Sequence, residues 1–154
     1  EAEPKESALD FCVRMGWETY IYQMMVVDYL ILNRDRHGAN IEVLRNSRKK
    51  TLHLAPLFDH GLSLFCRCMN DSQVEAFDVM EDKLCNNFIG SRSTWENLKL
   101  IPAEKRPALN PLRESDREII MEGLDGIISG ALQDKIWEMI WKRWCAYEDF
   151  CNSR

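Results

Sequence analysis

Asn33-Arg34-Asp35-Arg36-His37-Gly38-Ala39-Asn40, followed after a short basic interruption by Leu57-Phe58-Asp59-His60-Gly61, is the stretch on which the reading of this chain turns. An acid, an amide and a second acid fall in order at Asp35, Asn40 and Asp59, and each offers oxygen. Magnesium is a hard cation that prefers oxygen donors, so the set suits a magnesium-bound phosphate. Between the two parts, Ile41-Glu42-Val43-Leu44 and Thr51-Leu52-His53-Leu54 largely alternate apolar with polar residues, and Asn46-Ser47-Arg48-Lys49-Lys50 is turn-like. That pattern predicts a β-hairpin, which folds Asp59 back beside the loop ending at Asn40 so that both reach one metal. The basic tip reads as a solvated turn.

Protein kinases use an Asp to take the substrate hydroxyl proton, an Asn five residues later to hold one magnesium, and a second Asp, in D-F-G, to hold the metal that bridges the phosphates. Asn40 stands five residues after Asp35, and Gly61 two after Asp59. Taken together, Asp28-Tyr29-Leu30, Asn33 through Asn40, and Ala55-Pro56-Leu57-Phe58-Asp59-His60-Gly61 resemble the HipA-like kinases and, more distantly, the phosphatidylinositol-kinase-like group. Arg34 sits where the Arg of H-R-D would be, and Asn33 replaces its His, a departure that the HipA-like pattern shares.

The resemblance implies a fold and a set of roles. The fold is mainly α (α+β), a protein-kinase-like carboxyl-terminal lobe, helical with a small hairpin, as one domain over residues 1–154. The activity is ATP- and Mg2+-dependent phosphate transfer to a protein Ser or Thr, and the family's link to bacterial toxin-antitoxin systems comes with it. Asp35 and His37 are the catalytic residues: Asp35 accepts the hydroxyl proton, and His37, two residues on where protein kinases carry a Lys, donates to the transferred phosphate. Asn40 and Asp59 bind the metal and, through it, the nucleotide. Arg36 reads as a surface or loop-holding charge. There is no G-x-G-x-x-G loop and no Val-Ala-Ile-Lys ahead of the motif. The expectation is therefore that the nucleotide-covering amino-terminal lobe is absent from this chain or supplied by a partner chain, and that this chain alone binds ATP weakly.

Composition fits a globular protein: 154 residues can bury a sizeable core, and 45% hydrophobic with 29% charged residues argues against disorder. Twenty Lys and Arg against 25 Asp and Glu give a net charge of −5, which disfavours nucleic acid as a partner of the whole chain. Six cysteines lie at irregular spacings without C-x-x-C, the pattern of reduced, cytoplasmic thiols. The apolar run from Ile21 to Leu32 is interrupted by Gln23 and Asp28 and is too short for a bilayer, so no membrane association is expected.

Further along, Ser7 with Asp10 starts a helix that Gly16 ends, and a helix apolar on nearly all faces runs from Trp17 to Leu32 and delivers Asn33 to Asn40 at its end. The polar stretch after Gly61 stands where a kinase carries its activation segment. Ser93-Thr94-Trp95-Glu96 and Ser115-Asp116-Arg117-Glu118 both match the capping box, and Pro102, Pro107 and Pro111 mark a connector between the helices they start. Residues 116–132 and 134–150 read as two amphipathic helices, the second with Trp137, Ile140, Trp141 and Trp144 packed as core.

Two rival readings use the same residues. A metal-dependent phosphohydrolase would take Asp35, His37, Asp59 and His60 as mixed ligands, and a kinase-like binding module would act through partner contacts alone. Zinc at His60, Cys66 and Cys68 is disfavoured, since C-x-C without a second pair is not a usual structural-zinc framework.

Overall fold

A computed structural model describes residues 6–153, so the polar lead-in expected over residues 1–5 lies outside the described residues. The secondary structure is mainly α with a few short strands, the α+β class expected. Among the described residues, no helix is long and apolar enough to cross a membrane. The chain divides into two compact units: residues 6–63 with Asp82–Pro107, and Leu64–Glu81 with residues 108–153.

In the first unit, α1 (Ala8–Arg14) starts as the sequence indicates: the Ser7 hydroxyl accepts from the Asp10 amide at 3.0 Å and donates to the Asp10 carboxylate at 2.6 Å. It ends at Gly16, whose φ of +74° costs a glycine little. Helix α2 (Glu18–Leu30) buries Ile21, Tyr22, Met24, Met25, Val26 and Tyr29, so side chains all round it leave water. It packs against α4 (Thr94–Lys99), with Tyr29 and Trp95 rings 5.6 Å apart and Leu98 fully buried. The end of α2 is a Schellman turn: the Asn33 amide reaches the Asp28 carbonyl at 2.8 Å and the Leu32 amide reaches that of Tyr29 at 3.3 Å. This motif puts a left-handed residue at position 32, normally glycine. Here it is Leu32, at φ +49° and fully buried, where side-chain burial outweighs the backbone cost of about 1–2 kcal/mol.

The hairpin forms with strands β2 (Val43–Asn46) and β3 (Thr51–Leu54), two residues later in its first strand than the alternation suggested. Its ladder continues through the Ala55 amide to the Glu42 carbonyl at 2.8 Å, which brings the two ends of the motif together. A second, unexpected pairing is parallel: β1 (Asp35–Arg36) lies beside β4 (Asn86–Asn87). Beyond β4, the buried Asn97 amide caps the loop before α4, accepting from the Ser91 amide at 2.5 Å and donating to its carbonyl at 3.2 Å. Gly90 suits that place, because a Cβ on it would crowd the Asn97 Oδ1 that these bonds hold.

In the second unit, the short helix α3 (Asp71–Glu75) packs on the long α6 (Gly130–Asn152). Ser129 caps α6 by accepting from the Leu132 amide at 3.2 Å and donates to Asp71 at 2.7 Å, joining the two helix starts. Arg143 is buried on α6, its guanidinium donating to the carbonyls of Val79 at 2.7 Å and Glu81 at 3.1 Å. The Trp137, Trp141 and Trp144 rings follow one another with centroids 5.5 and 5.9 Å apart and planes tilted by 41° and 40°, Trp137 buried and the other two half-buried. The expected helix over 116–132 does not form. Within it only α5 (Asp116–Ile120) and the start of α6 are helical, because the chain turns through Gly123 and Gly126 at φ +77° and +74°. The expected box at Ser115 also fails. Ser115 is itself in the right-handed helical conformation with no side-chain cap bond, and Asp116 instead accepts from the Arg113 amide at 2.7 Å.

Candidate functional site

The site is organised by a buried charge. Asp28 sits on the last full turn of α2, 2% exposed, and a carboxylate so placed needs partners. It finds three donors: Asn33 Nδ2 at 2.9 Å, Arg36 Nη2 at 2.8 Å on the same oxygen, and Arg36 Nε at 3.0 Å on the other. Asn33 in turn accepts from the Asp35 amide at 3.2 Å, which fixes the backbone into β1.

Arg36, 1% exposed, has donors left over and spends them on the second loop. Its Nη1 reaches the carbonyls of Asn40 at 3.4 Å and Phe58 at 3.1 Å, and its Nη2 faces His60 Nδ1 at 3.3 Å. A guanidinium can only donate, so His60 Nδ1 accepts and the ring proton lies on Nε2. The Arg34 amide bonds to the Leu62 carbonyl at 3.1 Å. Asp59-His60-Gly61 is therefore tied on both sides to the stretch carrying Asp35 and Asn40. Arg36 is the loop-holding charge of the two alternatives, and it is not on the surface.

The four site residues all lie in the first unit. Asp35 is half-buried, and its Oδ1 accepts from Asn86 Nδ2 at 3.2 Å. His37 Nδ1 accepts from the Ala39 amide at 3.1 Å, and Nε2 stands 3.7 Å from Asp35 Oδ2, too far for a hydrogen bond. Asn40, buried in a 3-10 turn over Gly38–Asn40, donates from Nδ2 to the Asp35 carbonyl at 2.8 Å. That commits the donor end of the amide and leaves Oδ1 as the end with no hydrogen bond among the described residues. Asp59 is exposed, at φ +54°, and its carboxylate has no hydrogen bond or ion-pair partner among the described residues. Asp is one of the few residues other than glycine that takes up this left-handed conformation readily.

The donor chemistry suits magnesium: Asn40 Oδ1 and the Asp59 carboxylate are hard oxygens. Among the described residues, no three of His, Cys, Asp and Glu converge into a metal-binding group. Sequence reasoning missed Asn86, which reaches Asp35 from 51 residues away. It also missed the Asp28, Asn33 and Arg36 network, although Asp28 interrupting an otherwise apolar helix was a visible signal that a buried partner was needed. No protein-family model, curated protein or solved structure matches the chain.

Proposed function

We propose that this chain is the catalytic carboxyl-terminal-lobe part of an ATP- and magnesium-dependent phosphotransferase of HipA-like type, acting on Ser or Thr of a protein. The supporting observation is the shared Arg36 guanidinium, which holds the carbonyls of Asn40 and Phe58 on one nitrogen and so keeps the two loops of the motif side by side. Asn40 Oδ1 and Asp59 would hold the metal, which when bound neutralises charge on the phosphates. Asp35 takes the proton of the attacking hydroxyl. Asn86 keeps Oδ1 of that carboxylate occupied and leaves Oδ2, on the His37 side, to accept it. His37 Nε2 is the donor for the transferred phosphate. Unpaired cysteines fit a reducing, cytoplasmic setting.

The test compares two variants with the parent, each with the nucleotide-covering lobe present or supplied. Binding of magnesium and ATP is followed by calorimetry and transfer by radiolabel. Asp59→Ala abolishes metal-nucleotide binding. Asp35→Asn leaves binding within about twofold and lowers transfer by roughly 10²–10⁴, since its contact matters on the way to the transition state. No transfer from the parent to any protein, lipid or small-molecule acceptor, with partner binding and cellular effect unchanged in both variants, would make the motif a remnant of the fold in a binding module.

A further inference from the structure

The first unit carries an open cavity of about 390 Å3 with almost wholly apolar walls, formed by Phe11, Trp17, Ile41, Val43, Leu54 and Phe88. Its volume falls at the low end of the roughly 300–1,000 Å3 typical of ligand sites, enough for a few large side chains. Glu6, which also lines it, is paired with Arg14 at 2.8 Å. Phe88 is 62% exposed and Val43 48%, so a substantial part of this apolar wall faces water.

The groove runs onto the hairpin. Val43 and Leu54 are paired across β2 and β3, and the next pair on the same face is Arg45 with Leu52, the latter 42% exposed. Arg48, Lys49 and Lys50 follow at the tip, all exposed. Arg45, Arg48, Lys49 and Lys50 have no ion-pair partner among the described residues, and no Asp or Glu occurs between Glu42 and Asp59. In a chain of net charge −5, this is a local concentration of positive charge beside an apolar groove.

We propose that the groove and hairpin form a docking site for a short segment of a partner protein, with two large apolar side chains followed by a run of Asp or Glu. The apolar side chains fill the groove and the acidic run meets the tip. A concave apolar site favours inserted side chains over a bilayer surface, which takes up protruding ones. Four cations on an acidic protein are few for a polynucleotide. The inference stands whether or not the Asp35 loop transfers phosphate.

The test selects from a phage-displayed library of random twelve-residue peptides on the intact chain and measures the enriched sequences as labelled synthetic peptides. Enriched peptides carry paired large apolar residues next to an acidic cluster. Val43→Glu and Phe88→Ala each weaken them about tenfold or more, as expected for residues central to a small interface. The combined Arg48→Glu, Lys49→Glu, Lys50→Glu variant weakens them about tenfold, and raised salt weakens the parent's binding. All these positions are exposed, and unchanged circular dichroism and melting verify folding. The proposal is overturned by a library without enrichment, or by peptides indifferent to these substitutions. It is equally overturned if the groove-and-tip variants instead abolish binding to phosphatidylserine vesicles or a single-stranded oligonucleotide, while no peptide is selected.

Discussion

Arg36 has exchanged water for the Asp28 carboxylate, two backbone carbonyls and an imidazole nitrogen. An ion pair this buried adds little compared with an apolar pair of the same shape, but removing one member leaves the other charge stranded. Arg36→Met is therefore expected to destabilise the chain by about 3–5 kcal/mol, read from urea unfolding. Arg36→Lys also loses stability, because an ammonium cannot supply the fork that spans both Asp28 oxygens. Adding Asp28→Leu to Arg36→Met should lose less than the two single changes combined; a fully additive loss would mean that the two side chains do not act as a pair. The spacing of Asp35, Asn40 and Asp59, on which the proposed site rests, was legible because it is written locally. What holds them was not. An arginine between two motif residues reads as a surface or a loop-holding charge alike, and only the three-dimensional crossing of the loops turns it inward.

Short helices expose the difference between a motif and its geometry. Ser93 and Ser115 both head an S-x-x-E sequence, yet only Ser93 has the extended backbone that lets its hydroxyl accept from the amide three residues on, at 2.9 Å from Glu96. It also donates to Asp82. Ser93→Ala is expected to cost about 1 kcal/mol, whereas Ser115→Ala stays within about 0.5 kcal/mol of the parent, both read as shifts in urea midpoint. Equal costs would mean that the cap bond contributes nothing. The same contrast explains the lost helix after Asp116. Apolar spacing through Ile119, Ile120, Leu124 and Ile127 favours a helix, but Ile119 and Ile127 remain 72% and 74% exposed, so packing never rewards it and the glycines prevail. The first helix and the hairpin were legible because cap, alternation and turn residues agree there, and the second helix because its apolar run is free of Gly and Pro.

Across the whole molecule the six thiols sort by environment. Cys66 is exposed, and Cys12 and Cys85 are buried. Burial, helped by the charge of Asp82, pushes the Cys85 thiol up to about 11, and burial likewise raises Cys12. At pH 8 Cys85 is then thiolate in roughly one molecule in a thousand, and the thiolate is the reactive form. An aromatic disulfide reagent at that pH should modify Cys66 rapidly in the native chain and reach Cys12 and Cys85 only in urea, with peptide mapping to assign each. Native-state labelling of Cys85 at the rate of Cys66 would show that its surroundings open readily. The cysteine spacings pointed to unpaired thiols, but not to which of them are shielded, because burial such as that of Cys85, whose Sγ lies 3.9 Å from the Ser91 carbonyl, arises only on folding.

The parallel pair of Asp35 and Arg36 with Asn86 and Asn87 has a consequence for the order of events in the cell. At synthesis rates of roughly 5–20 residues per second, the 51 residues from Asp35 to Asn86 take about 3–10 s to assemble. Helix closure and hairpin formation are complete within microseconds. On a translating ribosome, the acid at position 35 therefore waits for the asparagine that will fix its carboxylate, and a nascent chain halted before residue 86 lacks that bond.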